Sequence, residues 1–290
     1  MSETARIRRL CVIGVGLIGG SYARALRPLA DEIVGSSRNE AHLAQAVELG
    51  VIDRFDTDAA RAVAGADLVF VSVPLGAMPR VFSHVAQALA PDAVITDGGS
   101  VKTSVTNAAR AGLGPAFARF VPGHPIAGTE NSGVAASFAE LYRDHKVILT
   151  PVAQTDRGAV DRVAALWRYC GAQVVEMDPA HHDEVLAATS HLPHMLAFAL
   201  VDALARMKEN DEIFRFAAGG FRDFTRIASS DPVMWRDICL ENRDALRAMF
   251  ARFRADLDAL DAAVEAGDAQ WILELFQRAK AARDRFTRSR

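Results

Sequence analysis

Cysteine is scarce here, with 3 in 290 residues. Cys11, Cys170 and Cys239 are odd in number, scattered, and each set in an apolar context. That excludes a disulfide framework and reads as small core residues of a reducing compartment. Long apolar runs are missing too: none approaches the ~20 residues needed to cross a bilayer. The N-terminal apolar stretch is interrupted by glycines and lacks a small-residue cleavage pattern, which argues against a signal peptide. Charge of one sign is also wanting. A net charge of −3 and a pI near 6.2 give no general electrostatic reason to bind nucleic acid or an anionic membrane. Internal repeats and low-complexity segments are absent. A cytoplasmic protein is expected.

Apolar residues, by contrast, make up half the chain, enough for a large core, and the length favours two domains. Over the first 178 residues, short β-branched runs alternate with helical stretches. This pattern predicts a doubly wound, mostly parallel α/β sheet covered by helices on both faces. Strands are expected at 9–14, 32–37, 67–74 and 93–100, with 118–125, 146–151 and 172–179 continuing the same sheet. Several are apolar throughout, as strands buried on both faces are. From His181 onward the strand-like runs stop and the remainder reads as helices, clearest in the amphipathic stretch 241–260. The expected division is a dinucleotide-binding domain over 1–178 and an all-helical domain over 179–290.

Gly14, Gly16 and Gly19 form G-x-G-x-x-G directly after the first strand, with Leu17 and Ile18 opening the helix that follows. Three glycines at this spacing mean little alone. Here strand, tight turn, helix and second strand fall within one unit, the context in which such a loop holds a dinucleotide pyrophosphate on a helix N-terminus. The end of the second strand selects the cofactor. An NAD site places an acid there for the ribose 2′-hydroxyl. This chain has Ser36, Ser37 and Arg38, with no acid before Glu40. Hydroxyls and a guanidinium suit a 2′-phosphate, so NADP is favoured over NAD. The alternative is that Arg38 stacks on the adenine or faces solvent.

Ligands of such sheets sit beyond the carboxyl ends of the strands. Three ends offer groups there: Val73-Pro74, Ser100 in DGGSVK, and His124 in PGHPIAGTENSG. Glycine and proline forbid regular structure through the last segment, so His124 stands in an ordered loop. A neutral histidine is a natural acceptor for a hydroxyl proton when hydride leaves the same carbon. A satisfied loop histidine fits the spacing equally well. Further on, His191 and His194 lie one turn apart in TSHLPHM, where Pro193 fits the first turn of a helix capped by Thr189 or Ser190. HxxH is metal-ligand spacing, but no further ligand is evident, and in HHDE (181–184) neighbouring side chains point in different directions. No metal is expected. Arg222, Arg226 and Arg236 stand among aromatics in GGFRDFTRIASSDPVMWRD. They offer carboxylate anchors, or pair with Asp223, Asp231 and Asp237 at the surface.

Together GVGLIGGS, DGGSVK, GHPIAGTENSG, SHLPHMLAFAL and GGFRDFTRIASSDPVMWRD resemble the prephenate/arogenate dehydrogenases of tyrosine biosynthesis, from about Leu10 to about Leu260. The resemblance implies a Rossmann-type domain followed by a helical dimerisation domain, hence a homodimer, with the active site between the two. It implies that His124 takes the proton of the ring 4-hydroxyl and that Ser100 hydrogen-bonds both that hydroxyl and the histidine. Arg226 would bind the ring carboxylate, His191 and His194 would line the substrate site, and Thr129 and Glu130 would lie at its edge. The reaction implied is oxidative decarboxylation of prephenate or arogenate with hydride transfer to NAD(P)+. A stand-alone catalytic enzyme is expected, with any tyrosine inhibition acting at the active site. Two other readings stay open. A β-hydroxy acid dehydrogenase would need a catalytic lysine, and only Lys208 and Lys280 stand in the helical part. A dinucleotide sensor would need the glycine loop alone.

Overall fold

The computed structural model describes residues 6–129, 131–208 and 210–288, and the chain forms two compact units, Met1–Arg243 and Asp244–Arg290. The first unit is built on six parallel strands: β1 (Ile7–Ile13), β2 (Ala30–Ser36), β3 (Arg54–Phe55), β4 (Leu68–Val71), β5 (Val94–Asp97) and β6 (Phe120–Val121). Their order is β3-β2-β1-β4-β5-β6, so the winding reverses between β1 and β4. That switch point opens a crevice beyond the carboxyl ends. Ile13 lies opposite both Ser36 and Val71, which brings the ends of β1, β2 and β4 level.

Apolar side chains pack on both faces. One core gathers Tyr22, Phe70, Tyr142 and Trp167, with the Tyr22 ring 4.3 Å from Phe70 and 4.4 Å from Trp167. The other gathers Phe82, Phe117 and Phe120 together with Trp235 and Ile238 of the helix Pro232–Glu241. This second core ties a late helix to one face of the sheet.

The expectation that the later strands continue the main sheet is met only by β6. β7 (Gly123–Pro125), β8 (Lys146–Leu149) and β9 (Gln173–Glu176) form a separate three-stranded sheet, with β7 antiparallel to β8 and β8 parallel to β9. The break falls at Pro122, which has no N–H to extend the β5–β6 ladder. Its carbonyl instead accepts the Thr150 N–H at 2.9 Å. His124 therefore leaves the main sheet at its carboxyl edge.

Beyond Glu176 the described residues form helices and turns without strands. The run 179–205 is one continuous rod: a helix Pro179–Leu186, a π-helical turn Ala187–His191 and a helix Leu192–Ala205. A fresh helix capped by Thr189 or Ser190 is thus replaced by a π turn. The Thr189 hydroxyl donates to Val185 O at 2.7 Å, and the wider turn accommodates Pro193, which cannot donate to the ladder. By length and composition this rod, at 27 residues and mean hydropathy 1.2, could cross a membrane, although no uninterrupted apolar stretch of that length exists in it. The second unit contains all but the first residue of the helix Arg243–Ala266, and the helix Ala269–Arg288. Gly267 turns the chain between them with φ +65°, and the Asp268 N–H closes back on Ala263 O at 2.9 Å.

Candidate active site

The glycine loop has the shape a pyrophosphate requires. Gly14 sits at φ +96°, and a Cβ there would lie 2.4 Å from Ser72 O. The turn is pinned by Gly14 N–H to Ser36 O and by the Ser72 hydroxyl to Gly14 O, each at 2.8 Å. At Gly19 a Cβ would lie 2.1 Å from Gly14 O, so the helix packs directly on the turn. Gly16 differs: nothing lies within 4 Å of its Cβ position, and it starts the helix Leu17–Leu26 without any side-chain cap. An open, uncapped helix start at a switch point fits a bound phosphate, held by the N–H groups around Leu17 and Ile18. Gly16→Asp tests this. The carboxylate finds room and suits the helix dipole, so thermal stability should hold or rise slightly. Dinucleotide affinity, measured by titration, should fall roughly tenfold or more from charge repulsion. A stable variant with wild-type affinity would contradict this use of the loop.

Beside this turn, Ser36 is buried at the end of β2, whereas Ser37 is half-buried and Arg38 exposed. The Ser37 hydroxyl accepts the Asn39 N–H at 3.1 Å, and Asn39 Oδ1 caps the helix Glu40–Glu48 by accepting the His42 N–H at 3.2 Å. Val73 and Pro74 follow β4 and flank the glycine turn, with Val73 N only 3.1 Å from the Gly14 Cβ position.

A second group of side chains converges at the ends of β5 and β7. Asp97 and Lys102 are fully buried and paired at 2.6 Å. Asp97 also accepts the N–H groups of Gly99 at 2.7 Å and Gly123 at 3.0 Å, while Lys102 Nζ donates to Gly123 O at 2.6 Å. This pair staples the Ser100 loop to the strand that carries His124. Ser100 and His124 are brought to one edge in this way, without a hydrogen bond between them among the described residues. Burial lowers the Lys102 pKa, and Asp97 works against that shift.

His124 Nδ1 lies 2.9 Å from His182 Nε2, and His182 Nδ1 lies 2.8 Å from Asp183 Oδ1. Asp183 in turn accepts the N–H groups of Lys102 at 2.7 Å and Thr103 at 2.9 Å, capping the helix Lys102–Gly112 from 81 residues away. Burial holds the His124 pKa well below 6.5, reinforced by His182, Lys102 and His191. The His182 pKa is lowered too, by burial, against the pull of Asp183. His124 is therefore a neutral imidazole at physiological pH.

Along the rod, His191 is 1% exposed with its pKa pushed down by burial to about 4. Asn242 Nδ2 donates both to Asp183 O at 2.9 Å and to His191 Nδ1 at 3.0 Å, leaving the proton of that ring on Nε2. His194 donates Nδ1–H to Ser190 O at 2.9 Å and stacks on Trp235, centroids 3.7 Å apart and planes 19° apart. Burial lowers the His194 pKa, and the nearby Arg226 guanidinium adds to the effect. Arg226 is exposed on the turn Arg226–Ser229. Arg236 takes the surface-pair alternative, bonding Asp237 at 2.6 Å. Thr129 is exposed and closes a local turn with the Asn131 N–H at 3.2 Å, and Glu130 lies outside the described residues.

Sequence reasoning missed Asp97, Lys102, His182, Asp183, Trp235 and Asn242. In HHDE, the spacing alone predicts that neighbouring side chains on a helix diverge. They meet here because the Asp183 carboxylate is drawn to a helix N-terminus and the His182 ring turns to it. Among the described residues no three His, Cys, Asp or Glu side chains are grouped to hold a metal ion. Of the two lysines that could serve as the catalytic lysine of a β-hydroxy acid enzyme, Lys280 is paired with Asp284 at 2.6 Å.

Residues 22–176 match the family described as prephenate dehydrogenase, nucleotide-binding domain, and residues 178–278 match prephenate dehydrogenase, dimerization domain. The chain is 42% identical to a cyclohexadienyl dehydrogenase of Zymomonas mobilis over 282 residues, 95% of each chain. It is 38% identical to a prephenate dehydrogenase of Bacillus subtilis over 280 residues, 95% of this chain and 75% of the other. The fold superposes with a TM-score of 0.89 and 38% identity on a prephenate dehydrogenase from A. aeolicus in complex with hydroxyphenyl propionate and NAD+, covering 95% and 97% of the two chains. A parallel sheet with a glycine turn at its switch point, a neutral buried-edge histidine and these likenesses lead to one conclusion: the chain belongs to the prephenate dehydrogenase family, NAD(P)-dependent oxidoreductases that carry out an oxidative decarboxylation in tyrosine biosynthesis.

Proposed function

We propose that this chain oxidatively decarboxylates prephenate to 4-hydroxyphenylpyruvate, or arogenate to tyrosine, with His124 as the base. The observation that carries the reading is the neutral His124, clamped through Asp97 and Lys102 to the Ser100 loop at the carboxyl edge of the sheet. A nicotinamide dinucleotide, when bound, supplies the hydride acceptor. Gly14, Gly16, Leu17, Ile18 and Gly19 hold its phosphates, and Val73-Pro74 flank it. His124 accepts the proton of the 4-hydroxyl as the C4 hydrogen departs with its bonding pair as hydride. Loss of the ring carboxylate as CO₂ then makes the ring aromatic, and the proton returns to the phenolic oxygen. Aromatisation makes the sequence effectively irreversible. Ser100 orients the hydroxyl, and Arg226 anchors the ring carboxylate with its two-pronged fork. His191, His194 and Thr129 line the substrate's surroundings.

The cofactor we favour is NADP, supported by the exposed Arg38 and half-buried Ser37 beside the glycine turn. On this reading Arg38→Asp lowers kcat/KM for NADP roughly 10–100-fold, the worth of a lost charged hydrogen bond, and leaves NAD at or above its wild-type value. Equal losses with both cofactors would contradict it. The division into 1–178 and 179–290 is supported by matched segments that end at 176 and resume at 178. A homodimer through the helical part is supported by the description of the second segment and by exposed apolar side chains such as Leu200, Met207 and Leu240. A cytoplasmic location is supported by three free cysteines. The reaction type is tested by following dinucleotide reduction and CO₂ release together. Equimolar amounts are expected, whereas reduction without CO₂ would contradict the proposal.

A further inference from the structure

We propose that His182 and Asp183 are positioning residues that set the tautomer of His124, so that its Nε2 lone pair is the reacting base. The proposal rests on the reading of His124 as that base. The argument is one of donors and acceptors. Asp183 receives two helix N–H groups at 2.7 and 2.9 Å, and its pKa is held below the usual carboxylate value by its hydrogen bonds with His182, Thr103 and Lys102. An ionised carboxylate only accepts, so His182 Nδ1 at 2.8 Å must carry a proton. The neutral His182 ring then presents Nε2 as an acceptor, and His124 Nδ1 at 2.9 Å must be the donor. That leaves His124 Nε2 unprotonated. It makes no hydrogen bond among the described residues, and it is the nitrogen left for a substrate hydroxyl.

The arrangement also keeps a partner for Nδ1–H in the charged form. When His124 gains a proton, the new positive charge lies along a hydrogen-bonded line that ends in a carboxylate. The same logic operates wherever a base is oriented by a third group. His182 is 0% exposed, and both of its ring nitrogens are occupied by this line. A histidine serving only to fill the core would be satisfied by any carbonyl. Here it connects the base to the helix-capping Asp183, and nothing else. The charged and titratable groups around the line are Lys102 and Asp97 from the β5 end and His191 from the rod, with His194 beyond it.

The test has two arms. Long-range ¹H–¹⁵N spectra of histidine-labelled protein at neutral pH should show His124 protonated on Nδ1, and the Nε2–H form would overturn the proposal. In the second arm, His182→Leu removes the acceptor, while His182→Gln keeps an amide oxygen near the position of Nε2. The Leu variant should lose roughly 10²-fold in kcat while KM values for substrate and dinucleotide stay within about threefold, because binding is left alone. The acid limb of its kcat/KM profile should move from its wild-type position, since the group that receives the His124 Nδ1 proton is gone. The Gln variant should recover most of the loss and restore the limb. Wild-type kcat in the Leu variant, or equal losses in both variants with an unmoved limb, would overturn the proposal. His124→Asn run alongside separates the two levels: if that variant keeps its turnover, the underlying reading fails, and if only the His182 variants are silent, this proposal alone fails.

Discussion

Replacing His124 with Asn is expected to lower kcat by roughly 10²–10⁴-fold, the range for a lost general base, with dinucleotide binding unchanged. The reasoning starts from sequence and ends in proton chemistry. Pro122 ends one sheet and Gly123–Pro125 begins another, so His124 is held on a short strand opposite Ile148. Burial there keeps the ring neutral, with its pKa well below 6.5. For a histidine lowered in this way, the basic form already predominates at neutral pH and is lost only as pH falls through the depressed pKa. Wild-type kcat/KM should therefore stay flat well below pH 6.5 before its acid limb begins. The Asn variant should lose that limb altogether, because no base remains to protonate. Measuring both profiles checks the assignment, and an Asn variant with near wild-type turnover would contradict it.

The largest effect on stability is expected at Lys102. Its ammonium group and the Asp97 carboxylate are each fully buried and 2.6 Å apart. Lys102→Met would leave Asp97 charged in the interior with only the N–H groups of Gly99 and Gly123 for partners. Breaking a buried pair from one side costs about 3–5 kcal/mol, visible as a lower denaturant midpoint. The double change Lys102→Met with Asp97→Asn should recover part of that loss, since no unpaired charge is left behind. The substitution reaches the site as well. Lys102 is among the groups holding the His124 pKa down, so its removal should move the acid limb upward. An unchanged midpoint in the single variant would mean that the pair does not clamp the two strand ends as described.

Much of this was legible in the residues. Gly14, Gly16 and Gly19 announce their turn because tight turns and close packing demand glycine, and the structure uses the three differently, for a positive φ, open space and close approach. The apolar strands reveal a parallel sheet because such strands are buried on both faces. What stayed hidden depends on long-range pairing. A sequence pattern cannot show that Pro122 splits the sheet, because a strand before it and a strand after it look alike. Nor could it show that Asp183 caps a helix 81 residues earlier, which is what turns HHDE from a surface run into a relay. Lys102 reads as an ordinary first-turn lysine until its burial is seen. The continuous rod through Pro193 was missed for the opposite reason: the local rule for proline is sound, and a π turn circumvents it.

Initial rates with purified protein, prephenate or arogenate each paired with NAD or NADP, test the central claim most directly. The account predicts turnover with at least one of the two substrates, and faster turnover with NADP than with NAD. A folded protein that binds the dinucleotide yet turns over neither substrate would contradict it.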